Sequence, residues 1–273
     1  MKSGGADGIE EIKEDKGKSK KKTKKKGDTT RSYVVNFASE LLGTALLMFL
    51  GCMGCFAQMD NPPAVHHMSS LSFGLVVLVI IMIFGHVSGA HLNPAVTIST
   101  VIFRMLTPTM ALVYIAGQFV GALLGLFLLK IVMPPEWVSD GFCLTKPFAQ
   151  ITPMQTLVIE TIITAVLILV CCGVWDPRNS HKDDSVSLRF GLVVAAISMV
   201  AGPLSGASMN TARSFAPAFL AGDYQDQWIY WIGPNVGAVL ACGIYTFLFA
   251  QEEEKNEEGT ELEEVDGMIT NKV

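Results

Sequence analysis

The sequence predicts an all-α membrane protein with six transmembrane helices plus two re-entrant half-helices, arranged as inverted repeats. Three observations carry this. Half of the 273 residues are of the AVILMFWYC set and only 16% are charged, too apolar for a water-soluble domain of this length. The apolar residues gather into six stretches long enough to cross a bilayer, near 34–57, 70–88, 109–133, 155–175, 188–203 and 226–250; a helix crossing the hydrocarbon core needs about 20 mostly apolar residues. The second half of the chain also repeats the first around one motif: Ser88-Gly89-Ala90-His91-Leu92-Asn93-Pro94-Ala95 returns as Ser205-Gly206-Ala207-Ser208-Met209-Asn210-Thr211-Ala212.

Residues 1–33 form a lysine-rich tail without an apolar h-region, so no cleavable signal peptide is expected. Like charges with nothing apolar to bury leave such a tail solvated, and beside a membrane it is drawn to anionic lipid. A nucleic-acid-binding role for the lysines does not fit the apolar bulk that follows. The tail lysines, Arg104 and the connection from Arg178 to Arg189 carry the positive charge of alternate loops, whereas 58–69 and 134–153 carry only Lys146. That bias places both termini in the cytoplasm. Residues 251–273 are a second tail, acidic and expected to be solvated.

Two segments, 93–103 and 210–220, are helical in pattern but too short to cross. An apolar segment of that length at membrane depth is re-entrant. Asn93 and Asn210 suit the N-cap, and Pro94 suits the first helical position. One segment follows the second span and the other follows the fifth, so they enter from opposite faces. Their N-termini meet near the midplane, each bringing about half a positive charge.

Aligned at an offset of 117, residues 71–95 and 188–212 share 14 of 25 identities. Each half holds three spans, so the halves lie upside down relative to each other, and such repeats set a pathway at the midplane. Glu40 in the first span matches Glu160 in the fourth. Gly117, Gly121 and Gly125, and Gly233 and Gly237, have the four-residue spacing that lets helix backbones approach closely in lipid. The six cysteines show no disulfide framework: Cys52, Cys55, Cys171, Cys172 and Cys242 fall in apolar runs, and only Cys143 falls in a loop. Cys52-x-x-Cys55 has no partner His or second pair and reads as buried apolar cysteine, so neither a metal nor a cofactor is expected.

Two Asn-Pro-Ala-type boxes, each preceded by Ser-Gly-Ala, with Arg213 three residues after the second Asn, resemble the aquaporin (major intrinsic protein) family over residues 34–250. The resemblance implies an hourglass channel domain, repeats about 34–133 and 155–250, four pores per homotetramer in the plasma membrane, and no enzymatic reaction. It makes Asn93, Pro94, Ala95, Asn210, Thr211 and Ala212 the central boxes. Phe73, Ser198, Ala207 and Arg213 become the selectivity filter. Glu40 and Glu160 become buried acceptors for the loop backbone before each box, rather than a proton relay. His86 and His91 flank the first box on the cytoplasmic side, where His91 is expected to line the inner pore mouth and His86 to act as a pH-sensitive contact.

The sequence departs from the family pattern in three places. Thr211 stands where the second box has Pro, which implies a small structural cost. Ser198 stands where water-specific members carry His, leaving a wider, still polar ring. Ser214 stands where glycerol facilitators carry Asp, and Tyr230-Trp231 is an aromatic pair of water-channel type. In opening its filter on a water-channel scaffold, the chain resembles the insect entomoglyceroporins. The implied permeants are water, glycerol and urea. The alternatives are a strictly water-selective channel, a secondary transporter and a junctional membrane protein.

Overall fold

The computed structural model describes residues 26–55, 62–138 and 141–249. Among these, eight α-helices run in order: α1 (Lys26–Met53), α2 (Pro62–Ser88), α3 (Pro94–Ile102), α4 (Pro108–Val132), α5 (Pro153–Trp175), α6 (Val186–Ser205), α7 (Thr211–Ala221) and α8 (Gln227–Leu248). Six of them, all but α3 and α7, are long and apolar enough to cross a membrane. The chain is a multi-pass membrane protein. Large apolar side chains such as Leu112, Val200 and Phe247 stand exposed on its outer face, where lipid replaces water.

The helix ends follow local chemistry. Thr107 caps α4 by accepting from the Met110 amide at 3.3 Å, and Pro108 opens the helix. Thr152 and Gln155 form a reciprocal capping box before α5, with Pro153 at the first position. α6 closes on Gly206 at φ +82°, a left-handed C-cap. α6 reaches Ser205 rather than 203, because Pro203 lies in its last turn, where the ring removes a single hydrogen bond. At the other end of the chain, α1 starts at Lys26, inside the stretch read as a solvated tail. Extending an existing helix costs little beside nucleating one, so the polar residues continue the turn. The rest of that tail, and the acidic stretch 251–273, lie outside the described residues.

Glycines set the helix pairing. A Cβ at Gly117, Gly121 or Gly125 would lie 2.9, 2.2 or 2.1 Å from the carbonyl oxygens of Phe37, Leu41 and Ala45, so α4 is seated directly on the α1 backbone. In the other half Gly237 meets the Thr161 carbonyl, at 2.3 Å by the same measure, and seats α8 on α5. The halves join where α2 crosses α6. There Gly74 and Gly191, equivalent in the repeat, face each other: a Cβ on Gly74 would lie 2.4 Å from the Gly191 oxygen. The repeat is therefore a pseudo-two-fold relation whose axis passes between two glycines.

Candidate functional site

The half-helices α3 and α7 meet N-terminus to N-terminus in the space between the halves. Asn93 caps α3 by accepting from the Ala95 amide at 2.9 Å, and Asn210 caps α7 by accepting from the Arg213 amide at 3.1 Å. Each side-chain amide also reaches across the junction. Asn93 Nδ2 donates to the Met209 carbonyl at 2.7 Å, and Asn210 Nδ2 donates to the Leu92 carbonyl at 2.8 Å. An amide nitrogen carries two hydrogens. One is thus committed to the junction, and one is left to point elsewhere.

The segments leading into the boxes are irregular. Gly89, Ala90 and Leu92 have φ of +85°, +48° and +57°; Gly206, Ala207 and Met209 have +82°, +42° and +51°. Non-glycine residues enter this region at a cost of about 1–2 kcal/mol each, so something must hold them. In the first half it is Glu40, fully buried, whose carboxyl oxygens accept from the His91 amide, the Leu92 amide, the Ser88 hydroxyl and Gln118 Nε2 at 2.7–2.9 Å. In the second it is Glu160, which accepts from the Ser208 amide, the Met209 amide and the Ser205 hydroxyl at 2.7–2.9 Å. One tyrosine finishes each clamp: Tyr114 donates to the Ser88 carbonyl and Tyr230 to the Ser205 carbonyl, both at 2.8 Å.

Thr211 replaces the ring of Pro94 with a hydroxyl, and the hydroxyl has a use. Pro234, inside α8, has no N–H, so the Tyr230 carbonyl lacks its donor four residues on. Thr211 Oγ1 donates to that carbonyl at 3.0 Å and accepts from Asn235 Nδ2 at 3.2 Å. The first half shows the reverse exchange, with Pro94 in the box and Gln118, which keeps its N–H, in the span.

Toward one mouth lie Phe73, Ser198, Ala207 and Arg213, all on the wall of one cavity of about 1480 Å³. The Arg213 guanidinium carbon sits 5.2 Å from the centre of the Phe73 ring, a cation–π contact. Its Nη1 donates to the Cys143 carbonyl at 2.8 Å. Around Cys143 the α4–α5 connection folds back onto α7 and the end of α6: Thr145 donates to Ser214 of α7 at 2.7 Å, and the Phe148 amide donates to the Leu204 carbonyl of α6 at 2.9 Å. The cavity continues past Asn93 and Asn210 to His91, His86, Trp175 and Ser187 at the other mouth. His91 there shares a hydrogen bond with Thr97 at 3.1 Å and packs at 4.8 Å on the Tyr114 ring. Beside that mouth, Arg178 donates to Asp176 at 2.5 Å and holds its carboxyl well below the usual carboxylate range.

The cysteine reading needs correction. Cys52 and Cys143 form a disulfide, so Cys52 is not a free apolar thiol. The pairing joins the last turn of α1 to a loop 91 residues later in sequence, and no local spacing announces it. Cys55, Cys171, Cys172 and Cys242 are free, and among the described residues no cluster of His, Cys, Asp or Glu could hold a metal.

A family model described as Major intrinsic protein matches residues 28–245. The chain belongs to that family, the aquaporins. It is 36% identical over 232 residues to aquaporin-4 of Homo sapiens, covering 84% of this chain and 72% of that one. It is 34% identical over 210 residues to the lens fiber major intrinsic protein of Lithobates pipiens, covering 77% and 79%. Among solved structures it resembles the aquaglyceroporin from Plasmodium falciparum, with a TM-score of 0.72, 26% identity, and coverage of 79% of this chain and 96% of that one. Membership makes this chain a membrane channel rather than an enzyme and supports water transport.

Sequence reasoning missed Cys143, Thr145, Tyr114 and the full role of Tyr230. A signal for the tyrosines was present: at an offset of 116, Tyr114-x-x-Gly117 aligns with Tyr230-x-x-Gly233. The connection 141–151 has no periodicity to betray that it folds onto α7.

Proposed function

We propose that the chain is a passive channel for water, glycerol and urea that excludes protons and ions. In this reading it works as a homotetramer in the plasma membrane with both termini in the cytoplasm. The observation that carries the reading is Ser198 on the cavity wall with Phe73, Ala207 and Arg213. Small residues at 198 and 207 leave width, and selectivity follows pore diameter and lining donors. Arg213 and Ser198 supply polar contacts for hydroxyls or urea N–H and C=O groups, while the Phe73 face takes the carbons. This pattern supports reading the chain as a channel of the insect entomoglyceroporin type.

At the midpoint, the second hydrogens of Asn93 Nδ2 and Asn210 Nδ2 donate to a passing water oxygen. A water held so cannot accept a proton from its neighbour in the file. The N-termini of α3 and α7 and the Arg213 charge make the lumen positive, which repels protons and cations. The irregular segments 89–92 and 206–209 supply backbone carbonyls as acceptors, which is tolerable at membrane depth because they line a cavity.

The test is stopped-flow light scattering of proteoliposomes holding the full chain. Faster osmotic shrinkage than in empty vesicles, entry of glycerol and urea down their gradients, and an unchanged proton leak are expected. Water flux without solute entry would overturn the solute assignment.

A further inference from the structure

Besides resting on the Phe73 ring, the Arg213 guanidinium is hydrogen-bonded to a single residue among those described. Every described hydrogen bond of its guanidinium goes to Cys143: Nη1 to the carbonyl at 2.8 Å and Nη2 to Sγ at 3.7 Å. Among the described residues Arg213 forms no ion pair. Cys143 therefore supplies the hydrogen bonds that fix the guanidinium over the Phe73 ring. Yet Cys143 sits at φ +62°, in a connection with neither helix nor strand around it. A non-glycine residue stays there only if its surroundings hold it.

The holder is the disulfide to Cys52, a fully buried residue in the last turn of α1. The same turn also sets another part of the constriction wall. Gly51 is packed on Phe73 so closely that a Cβ there would lie 2.5 Å from the ring. One turn of α1 thus places Phe73 by contact and Arg213 through the Cys52–Cys143 bond.

We infer that the Cys52–Cys143 disulfide is a positioning element of the constriction. It fixes the Cys143 carbonyl, which holds the guanidinium against the wall over Phe73 and keeps the opening beside Ser198 clear. Breaking the bond takes two electrons and two protons and leaves two thiols; a water-soluble phosphine supplies the electrons and becomes its oxide, with oxygen from water. The released connection no longer presents the carbonyl at a fixed place. A guanidinium has five donors and no acceptor capacity. Without its carbonyl it turns to the nearest water, which is in the cavity, and stands in the path of the larger permeants.

The inference rests on the solute-channel reading above, and the test separates the two. Proteoliposomes holding the full chain are measured oxidised, after phosphine reduction and after reoxidation. Alkylation and peptide mass confirm that Cys52 and Cys143 are the thiols that appear. The oxidised sample alone decides whether glycerol and urea pass. The expected result on reduction is a fall in the glycerol-to-water permeability ratio by about threefold or more, the scale of losing one hydrogen bond, restored on reoxidation. Water permeability in the same vesicles falls less, but falls. The Cys52→Ala/Cys143→Ala double variant should match the reduced protein and ignore the phosphine. A merely structural bond would lower the number of working channels and leave the ratio unchanged. An unchanged or rising ratio overturns the inference, and if no solute passes at all, an unchanged water permeability overturns it.

Discussion

Replacing Thr211 by Val keeps the branched shape and removes the hydroxyl. The Tyr230 residue it serves is fully buried, and Pro234 denies its carbonyl the usual intrahelical donor. Asn235 Nδ2 loses one acceptor but keeps the Trp231 carbonyl at 2.7 Å. The cost is therefore one orphaned buried carbonyl, about 1–3 kcal/mol. At about 2–4 °C per kcal/mol for a chain of this size, the melting temperature of the purified protein should fall by about 2–12 °C. Thr211→Ser keeps a donor and should fall less. The decisive comparison is a double-mutant cycle. Pro234→Ala restores the backbone N–H that the Tyr230 carbonyl lacks, so Thr211→Val in that background should cost no more than about 0.5 kcal/mol. An equal loss in both backgrounds, read by tryptophan fluorescence on heating, would refute the idea that the threonine compensates for the proline.

Other outcomes follow from the same contacts. Glu160→Gln puts an amide NH₂ among the Ser208 and Met209 N–H donors; at about 1.5–3 kcal/mol per charged hydrogen bond, melting temperature and water flux per vesicle should both drop. Gly125→Ala forces a Cβ to 2.1 Å from the Ala45 oxygen, whereas Gly173→Ala meets nothing within 4 Å; the first should destabilise by about 1–3 kcal/mol and the second should not. Asp176, its carboxyl lowered by Arg178, binds fewer protons folded than unfolded. Its stabilising contribution is present above the ordinary carboxylate range and is lost as pH falls toward its lowered value. The gap in melting temperature between wild type and Asp176→Asn should therefore narrow steadily as pH falls from about 5 to about 2.

The parts of the fold legible in the sequence are those set by local pattern. Apolar length marks the spans, and Asn93 and Asn210 mark the half-helix starts because an N-cap is a local event. The repeat made Glu40 and Glu160 visible as a pair. What stayed hidden depends on contacts between distant segments. Cys143 looks like any loop cysteine until α1 and the α4–α5 connection are brought together. Thr211 looks like a defect in its box until Pro234 is seen across from it, since each departs from the rule of its own element and only together do they balance. The start of α1 at Lys26 was hidden for another reason: polar residues signal the end of an apolar run, not the end of a helix.

The most direct measurement is solute-resolved permeability of Ser198→His beside wild type, at matched protein per vesicle. An imidazole on that wall narrows the ring facing Arg213 and Phe73. The account predicts that glycerol and urea entry fall by about tenfold or more while water flux stays within about twofold, since selectivity is set by ring width and donors. Glycerol and urea entry unchanged by the histidine would contradict it.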